Sequence, residues 1–549
     1  MSNPLYSYYP PEDTRKARES GYWNDDTLDR WLARQAEANP DKHFVEMAGR
    51  DGVSYAELNR RATRFAGALA ALGCRKGDVI AIQLYNCPDF LTAYLGIARL
   101  GAIAAPLHMP LRDAEISPLL FHSKAKAVVC APRAAGYDGP AMMARLQSEL
   151  PELAHVIVAD TDSEVEQGPS LAAMVAAGAA SPPPAPPQPE DPFLLCFTSG
   201  TSSAPKGVMR DYQTLTANAR TYAQTMKLDA ESRAVIVSPL THVYGLEGIH
   251  AALYTGGRVT PVERYDPQIF AEILENYRPR IVYCAPAHVA AALKDGSFDG
   301  RDLSGVGDVI VAGSLCPPYV ARDFERLLPN GRVGSLFGMT EVLIATQTAM
   351  DGDADIRHGT VGRVLPGVEA RIVDDEGRSL AQGEVGELQL RSLCGMTGYM
   401  ANVEANENAY TADGWFRTAD LAEWVDGENI AIRGRLNDII NRGGVKINPS
   451  DIENALSQHP KVREAALVPV EDEVLGERIC AVVTLVNGAE LSLDEVTAHL
   501  SEKKIAKMRW PEKLIVIDEM PMTPTKKIIK GKVRELISKS LTESSSVKA

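Results

Sequence analysis

Several common classes of protein are excluded by what this sequence lacks. No uninterrupted apolar run is long enough to cross a bilayer. The opening MSNPLYSYYPPEDTRK has no apolar core region, so a signal peptide is not expected. No C-x-x-C pair occurs. The eight cysteines, Cys74, Cys87, Cys130, Cys196, Cys284, Cys316, Cys394 and Cys480, are scattered, and most fall in apolar stretches. Reduced core thiols in a cytoplasmic protein are the expectation. Positive charge is short, with 57 Lys+Arg against 72 Asp+Glu and a formal net charge of −15. That argues against nucleic acid or an anionic membrane as partner. There is no internal repeat.

What remains is an ordinary globular composition, 45% hydrophobic and 23% charged. At 549 residues the chain is too long for one compact core, so at least two domains are expected. The charge is uneven. Residues 438–549 hold 17 Lys+Arg and 17 Asp+Glu, which leaves the whole deficit in the first 437. Within that neutral part Lys503, Lys504, Lys507, Arg509, Lys526, Lys527, Lys530, Lys532 and Arg534 form a basic stretch. Such a stretch is usually a solvated face, and it also attracts anionic ligands.

Helix and strand signals alternate through most of the chain. Ser54-Tyr55-Ala56-Glu57 is a capping box, and Leu58, Ala62, Phe65, Leu69 and Leu72 share one helix side until Gly73 stops it. Strand-like runs at 79–84, 103–106, 127–130, 156–159, 234–237, 281–284 and 309–312 are interleaved with helices at 90–100 and 267–277. This predicts α/β layering with sheets covered on both faces. SPPPAPPQPED at 181–191 is a proline-rich connector. From 359 to 391 short strands and turns such as Asp374-Asp375-Glu376-Gly377 predict a small antiparallel barrel or sheet. After Gly434 an α+β segment is expected: helices at 449–458 and 493–505, strands at 465–470 and 479–485.

Chemistry concentrates first in Thr198-Ser199-Gly200-Thr201-Ser202-Ser203-Ala204-Pro205-Lys206-Gly207, directly after the apolar run Phe193–Phe197. Hydroxyls, backbone N–H groups, glycines and one lysine are what a polyphosphate needs. Pro205 replaces the glycine that G-x-x-x-x-G-K-[ST] requires, so this is not the common nucleotide loop. Further segments follow: PLTHVYG at 239–245, LFGMTE at 336–341, GEVGEL at 383–388, DGWFRTAD at 413–420, GRLNDIINRGGVKINPSDIE at 434–453 and PMTPTKKIIKGK at 521–532. Together and in this order they resemble the signatures of the adenylate-forming superfamily of acyl-CoA synthetases, aryl-acid ligases, adenylation domains and luciferases. The fold this implies is α/β. A large N-terminal domain, 1–434, has two helix-covered sheets plus a small β-barrel; a hinge follows at 435–437; a small mobile α+β domain, 438–549, carries the catalytic lysine.

The resemblance also implies roles. Thr198, Ser199, Gly200, Thr201 and Lys206 would hold the β- and γ-phosphates of ATP. Glu341 matches a Mg²⁺ ligand and Thr340 a phosphate-contacting hydroxyl. Asp420, assisted by Arg435, would take the ribose hydroxyls, since an acceptor-only carboxylate suits two donors. Gly313 and Ser314 fall where the family packs adenine, and Phe337 would stack on it. Lys527 matches the lysine that stabilises the adenylation transition state, with Lys526 where glycine is usual. Asn437 holds the hinge position, and Gly443 and Gly444 the loop lining a coenzyme A tunnel. His242 matches a pocket gate. Val243, Tyr244, Gly245, Leu336, Gly338 and Met339 make a largely apolar acid pocket, with no Asp for an amino group. The opening RESGYWND resembles aryl-acid ligases but lies outside the pocket. The expectation is an acid–CoA ligase acting on an uncharged carbocyclic, aromatic or medium-chain acid through an acyl-adenylate. The alternatives are an enzyme that loads an external carrier protein, a luciferase-like oxygenase, and a non-catalytic relative, which the presence of Glu341, Asp420 and Lys527 disfavours.

Overall fold

The structure is a computed structural model, and it describes residues 11–134, 136–159, 169–179, 185–198, 206–443, 445–472, 474–486, 488–523 and 527–537. The chain divides into two compact units. The larger comprises Met1–Glu369 and Arg391–Trp415, the smaller Ala370–Leu390 and Phe416–Ala549. Among the described residues no helix is long and apolar enough to cross a membrane. All eight cysteines are buried and unbridged, as core thiols should be.

The larger unit is built on two sheets. One has nine strands. Its centre is parallel: Arg332–Met339, Asp308–Val311, Ile281–Cys284, Arg233–Ile236, Arg258–Pro261 and His43–Met47 lie side by side. Antiparallel strands, Leu343–Gln347 and Arg50–Ser54, flank the two ends of that run. The other sheet has seven strands. Ile103–Pro106, Val79–Gln83, Ala127–Cys130 and His155–Val158 run parallel, and Pro192–Thr198 joins them beside Ile103–Pro106. Lys206–Asp211 then returns antiparallel to Pro192–Thr198, and Gly398–Tyr399 adds the edge.

The central strands read as continuous apolar runs because helices cover both of their faces. Val79–Gln83, Ala127–Cys130 and Ile281–Cys284 are buried at every position. The helices Pro88–Leu100, Tyr212–Thr225 and Val243–Thr255 are buried nearly all round, so they are inner layers rather than an amphipathic shell. Outer helices such as Pro267–Tyr277 and Pro318–Glu325 keep one apolar face, which packs into the core around Phe270, Leu274 and Phe324. The serine half of the capping box forms: the Ser54 hydroxyl accepts from Glu57 N at the start of helix Tyr55–Ala71, while the Glu57 carboxylate pairs with Arg60 and Arg61, and Gly73 adopts φ 83° past the helix end.

The smaller unit also contains two sheets. An antiparallel four-stranded sheet runs Val368–Val373, Gly386–Ser392, Phe416–Trp424, Ile430–Arg435, where the sequence predicts a small barrel or sheet. Its expected turn forms, with Asp374 N donating to the Arg378 carbonyl, Asp374 Oδ1 accepting from Arg378 N, and Gly377 at φ 80°. The second sheet is built on the long hairpin Val462–Asp472 with Gly476–Leu485, flanked by helices Ser450–Ser457 and Leu493–Glu502. Buried Ile440, Leu456, Leu467, Ala481, Val496 and Leu500 form its core.

Candidate active site

In the larger unit the candidate phosphate loop is the connection of a hairpin. Thr198 pairs with Lys206 across Pro192–Thr198 and Lys206–Asp211. Ser199, Gly200 and Thr201 lie outside the described residues. The neighbouring edge strand brings in Tyr399, which pairs with Val208. The Lys206 ammonium stands 5.2 Å from the centroid of the Tyr399 ring, a cation–π distance. The Tyr399 hydroxyl donates to Glu341 Oε1 at 2.9 Å. A lysine, a tyrosine and a carboxylate from three distant segments thus meet in one place.

Glu341 is 6% exposed, and burial pushes its carboxyl above the ordinary range. The Tyr399 hydrogen bond and the charges of Arg210 and Lys206 oppose that rise. Arg210 is fully buried and pairs with no carboxylate among the described residues. Its Nε and Nη2 donate to the Thr340 carbonyl at 3.0 and 2.8 Å, and Nη1 donates to the Cys394 carbonyl at 2.7 Å. Met396 N donates to the Glu341 carbonyl at 2.7 Å. The peptide carrying Glu341 is therefore clamped on both sides.

The residues expected to line an acid pocket lie at the carboxyl ends of strands of the nine-stranded sheet, where ligands bind in open α/β sheets. His242 caps helix Val243–Thr255, its Nδ1 accepting from Tyr244 N at 3.2 Å. Tyr244 is committed to the fold, its hydroxyl donating to the Ile310 carbonyl at 2.8 Å. Gly245 is required by packing, because a Cβ there would lie 2.4 Å from the Pro239 carbonyl oxygen. Gly313 and Ser314 follow strand Asp308–Val311 and are exposed. Gly313 has φ 91° and open space around it, so backbone is accessible there. Phe337 and Met339 are half-buried; Gly338 is exposed.

His108, from the loop after Ile103–Pro106, stacks near His242 with ring centroids 6.3 Å apart. Its Nδ1 lies 2.8 Å from Thr241 Oγ1, and burial lowers its pKa to about 4, so it is neutral at physiological pH. One turn beyond Val243, Glu247 is buried with neither carboxylate oxygen hydrogen-bonded; Oε1 lies 3.9 Å from His250 Nδ1.

The smaller unit carries a second cluster. Asp420 and Arg435 are register partners on adjacent strands, with Oδ1 3.1 Å from Arg435 Nε. Ala419 holds φ 57°, a left-handed conformation costly for alanine, directly before Asp420. Burial raises the Asp420 carboxyl, opposed by the charges of Arg435 and Lys527. Lys527 is lowered to about 8, first by burial and then by Arg435, with Asp420 and Asp438 opposing. Its main chain is pinned to Thr523: Lys527 N donates to Thr523 Oγ1 at 3.0 Å, and its carbonyl accepts from Thr523 N at 2.7 Å. Asn437 is exposed in the short helical turn Leu436–Asp438. Gly443 has φ 57° and donates its N–H to the Leu475 carbonyl at 2.8 Å. Gly444 and Lys526 lie outside the described residues.

Arg210, Tyr399 and His108 were not singled out by the sequence. A lone arginine inside the apolar strand Lys206–Asp211 is a signal for the first, since a buried guanidinium needs partners. Tyr399 and His108 stand in unremarkable loops and edges, and nothing local marks them.

Comparisons with known proteins show the family. A family model described as AMP-binding enzyme matches residues 32–400, and one described as AMP-binding enzyme C-terminal domain matches 451–527. The chain is 32% identical over 531 residues to a salicyl-AMP ligase / salicyl-S-ArCP synthetase of Mycobacterium tuberculosis, covering 95% of this chain and 93% of that one. It is 31% identical over 529 residues to a medium-chain fatty-acid–CoA ligase of Escherichia coli, covering 96% and 93%. The crystal structure of an anthranilate CoA ligase in complex with anthranoyl-AMP superposes with a TM-score of 0.84 at 24% identity, covering 93% and 97% of the two chains, a likeness of fold. The chain belongs to the AMP-binding enzyme family, within the adenylate-forming superfamily, and is an AMP-forming acid ligase.

Proposed function

We propose that the enzyme activates an uncharged carbocyclic, aromatic or medium-chain carboxylic acid with ATP and transfers the acyl group to coenzyme A. Joining two anions demands charge neutralisation and alignment rather than an acid or base. In this reading Lys206 and the hydroxyls around it hold the β- and γ-phosphates, Asp420 and Arg435 hold the ribose, and Lys527 offsets charge on the α-phosphate and carboxylate oxygens. Gly443 and Gly444 serve the thiol. The observation that carries this reading is Glu341: a buried carboxylate that accepts from Tyr399, next to a peptide held by Arg210, and paired with no side-chain cation among the described residues has a reason to be there if it receives one.

Mg²⁺ fits Glu341 on chemical grounds. The carboxylate is a hard oxygen donor, and Mg²⁺ is commonly bound through one or two carboxylates plus substrate phosphates and water. Bound there, Mg²⁺ would offset phosphate charge.

The acid is assigned from the lining. Val243 and Met339 offer no charge, and the His108–His242 pair offers flat, polarisable rings. Relatives that act on salicylate and on medium-chain fatty acids support this range. The salicyl-AMP relative equally favours a second reading, in which the acceptor is a carrier protein rather than coenzyme A. Pyrophosphate release across a panel of carboxylic acids, with and without coenzyme A, tests both. Best turnover on an amino acid would overturn the pocket assignment. Acyl-adenylate that accumulates and never reaches coenzyme A would favour the carrier protein.

A further inference from the structure

A second polar site lies at the opposite edge of the nine-stranded sheet from the acid pocket. The pocket residues follow the carboxyl ends of the strands. The amino ends of the same strands carry arginines instead. Arg233 and Arg258 are the first residues of their strands, and Arg280 directly precedes Ile281–Cys284. With Arg278, Ser304 and Asn330 they line a cleft of about 420 Å³. The rest of its wall is mainly backbone and small residues, including Gly305 and Gly307.

Such a cluster is unexpected in a chain of net charge −15. Glu231 is the one carboxylate on the lining among the described residues. It is 82% exposed and lies 3.7 Å from Lys42, at the rim. Three more carboxylates stand off the lining. Glu46 serves both Arg233 and Arg258, at 2.9 and 3.4 Å; Asp302 takes Arg278 at 2.8 Å; Asp308 takes Arg280. Three carboxylates thus orient four guanidinium groups, and each guanidinium has five N–H donors. The pairing is incomplete. Arg233 Nε and Arg258 Nε are buried and hydrogen-bonded to nothing, and Glu46 Oε2, although close to Arg233, is misaligned for a bond. Those two Nε atoms are closed to solvent, so a ligand in the cleft would meet the terminal amino groups that the carboxylates and the Tyr277 and Met226 carbonyls leave unused, and forked guanidinium groups held in place match a tetrahedral oxyanion.

We propose that this cleft binds a phosphate group, free or carried on a small metabolite, at a site separate from the one that activates the acid. The full-length enzyme should be titrated calorimetrically with orthophosphate and, separately, with glucose 6-phosphate, at constant ionic strength. Saturable binding of at least one probe is expected, weakened about tenfold or more in Arg258→Gln and in Arg278→Gln, each of which removes a charge-assisted contact. Tighter binding of the sugar phosphate would identify a carried phosphate, and equal binding a free one. Acid activation without added anion should be unchanged in both variants. Arg278 is more than half exposed and its ion pair is with Asp302, so its variant tests the site even if Arg258→Gln folds poorly. Absence of saturable binding, or binding that both folded variants retain, would overturn the proposal.

Discussion

Lys527 illustrates how a single residue acquires a measurable signature. A lysine held near a pKa of about 8 is an ammonium below that pH and loses its charge as pH rises through it. If the ammonium stabilises the adenylation transition state, the adenylation rate falls above about pH 8. Lys527→Arg keeps the charge well past that range, so its rate, though lower, should show no such alkaline limb. Lys527→Ala should lose adenylation by several orders of magnitude while still making thioester from supplied acyl-adenylate. A limb that persists in the Arg variant assigns the titration to another group. Glu341 is the companion case. Tyr399→Phe removes a hydrogen bond to its charged form, a contact of about 1.5–3 kcal/mol. The carboxyl should then rise further in pKa, moving the acid limb of the rate profile to higher pH and weakening the Mg²⁺ response. An unmoved limb and an unchanged Mg²⁺ titration would remove Tyr399 and Glu341 from the metal reading.

Elements place these residues through constraints that local sequence shows only in part. Helix Val243–Thr255 starts where it does because His242 caps it, and it approaches the 238–239 backbone closely because residue 245 has no side chain. Gly245→Ala puts a Cβ 2.4 Å from one carbonyl oxygen and 2.9 Å from the next, so the helix start must move. A loss of about 1–3 kcal/mol in stability is expected, read as a lower midpoint in denaturant. KM for the acid should rise with KM for ATP little changed. A variant as stable and as selective as the parent would show that the helix start does not define the pocket. The PLTHVYG segment marked this place only through its resemblance to a family signature; the cap and the close approach emerged from the structure. The edge strand Gly398–Tyr399 is different. Two residues carry no periodicity, and their pairing with Val208 and Met209 is set by a chain segment almost two hundred positions away.

For the whole molecule, the proposal is that two half-reactions share one acid through movement of the part that carries Lys527 and Gly443. The motif order motivates it, since one serves the phosphate and the other the thiol. Asn437 lies within the smaller compact unit, exposed in a single helical turn. Asn437→Pro fixes φ near −65° and should slow thioester formation more than adenylation in single-turnover measurements of each half-reaction. Equal slowing of both, with folding intact, would place the hinge elsewhere.

The sequence by itself determined the layering, the family and the residue types at the site. Alternating apolar runs and capping residues act over a few positions, and the motif residues are of the types that phosphate, ribose and magnesium would demand in the proposed reading. Tertiary structure decided which groups meet. Arg210 clamps Thr340 and Cys394, Tyr399 touches Glu341 and Lys206, His108 faces His242, and four arginines from the amino ends of three strands line one cleft. Each meeting joins segments far apart in the chain, and depends on strand order and register that no local pattern encodes. Burial then sets the charge behaviour of Glu341, Asp420 and Lys527, because desolvation is a property of the surroundings and not of the residue.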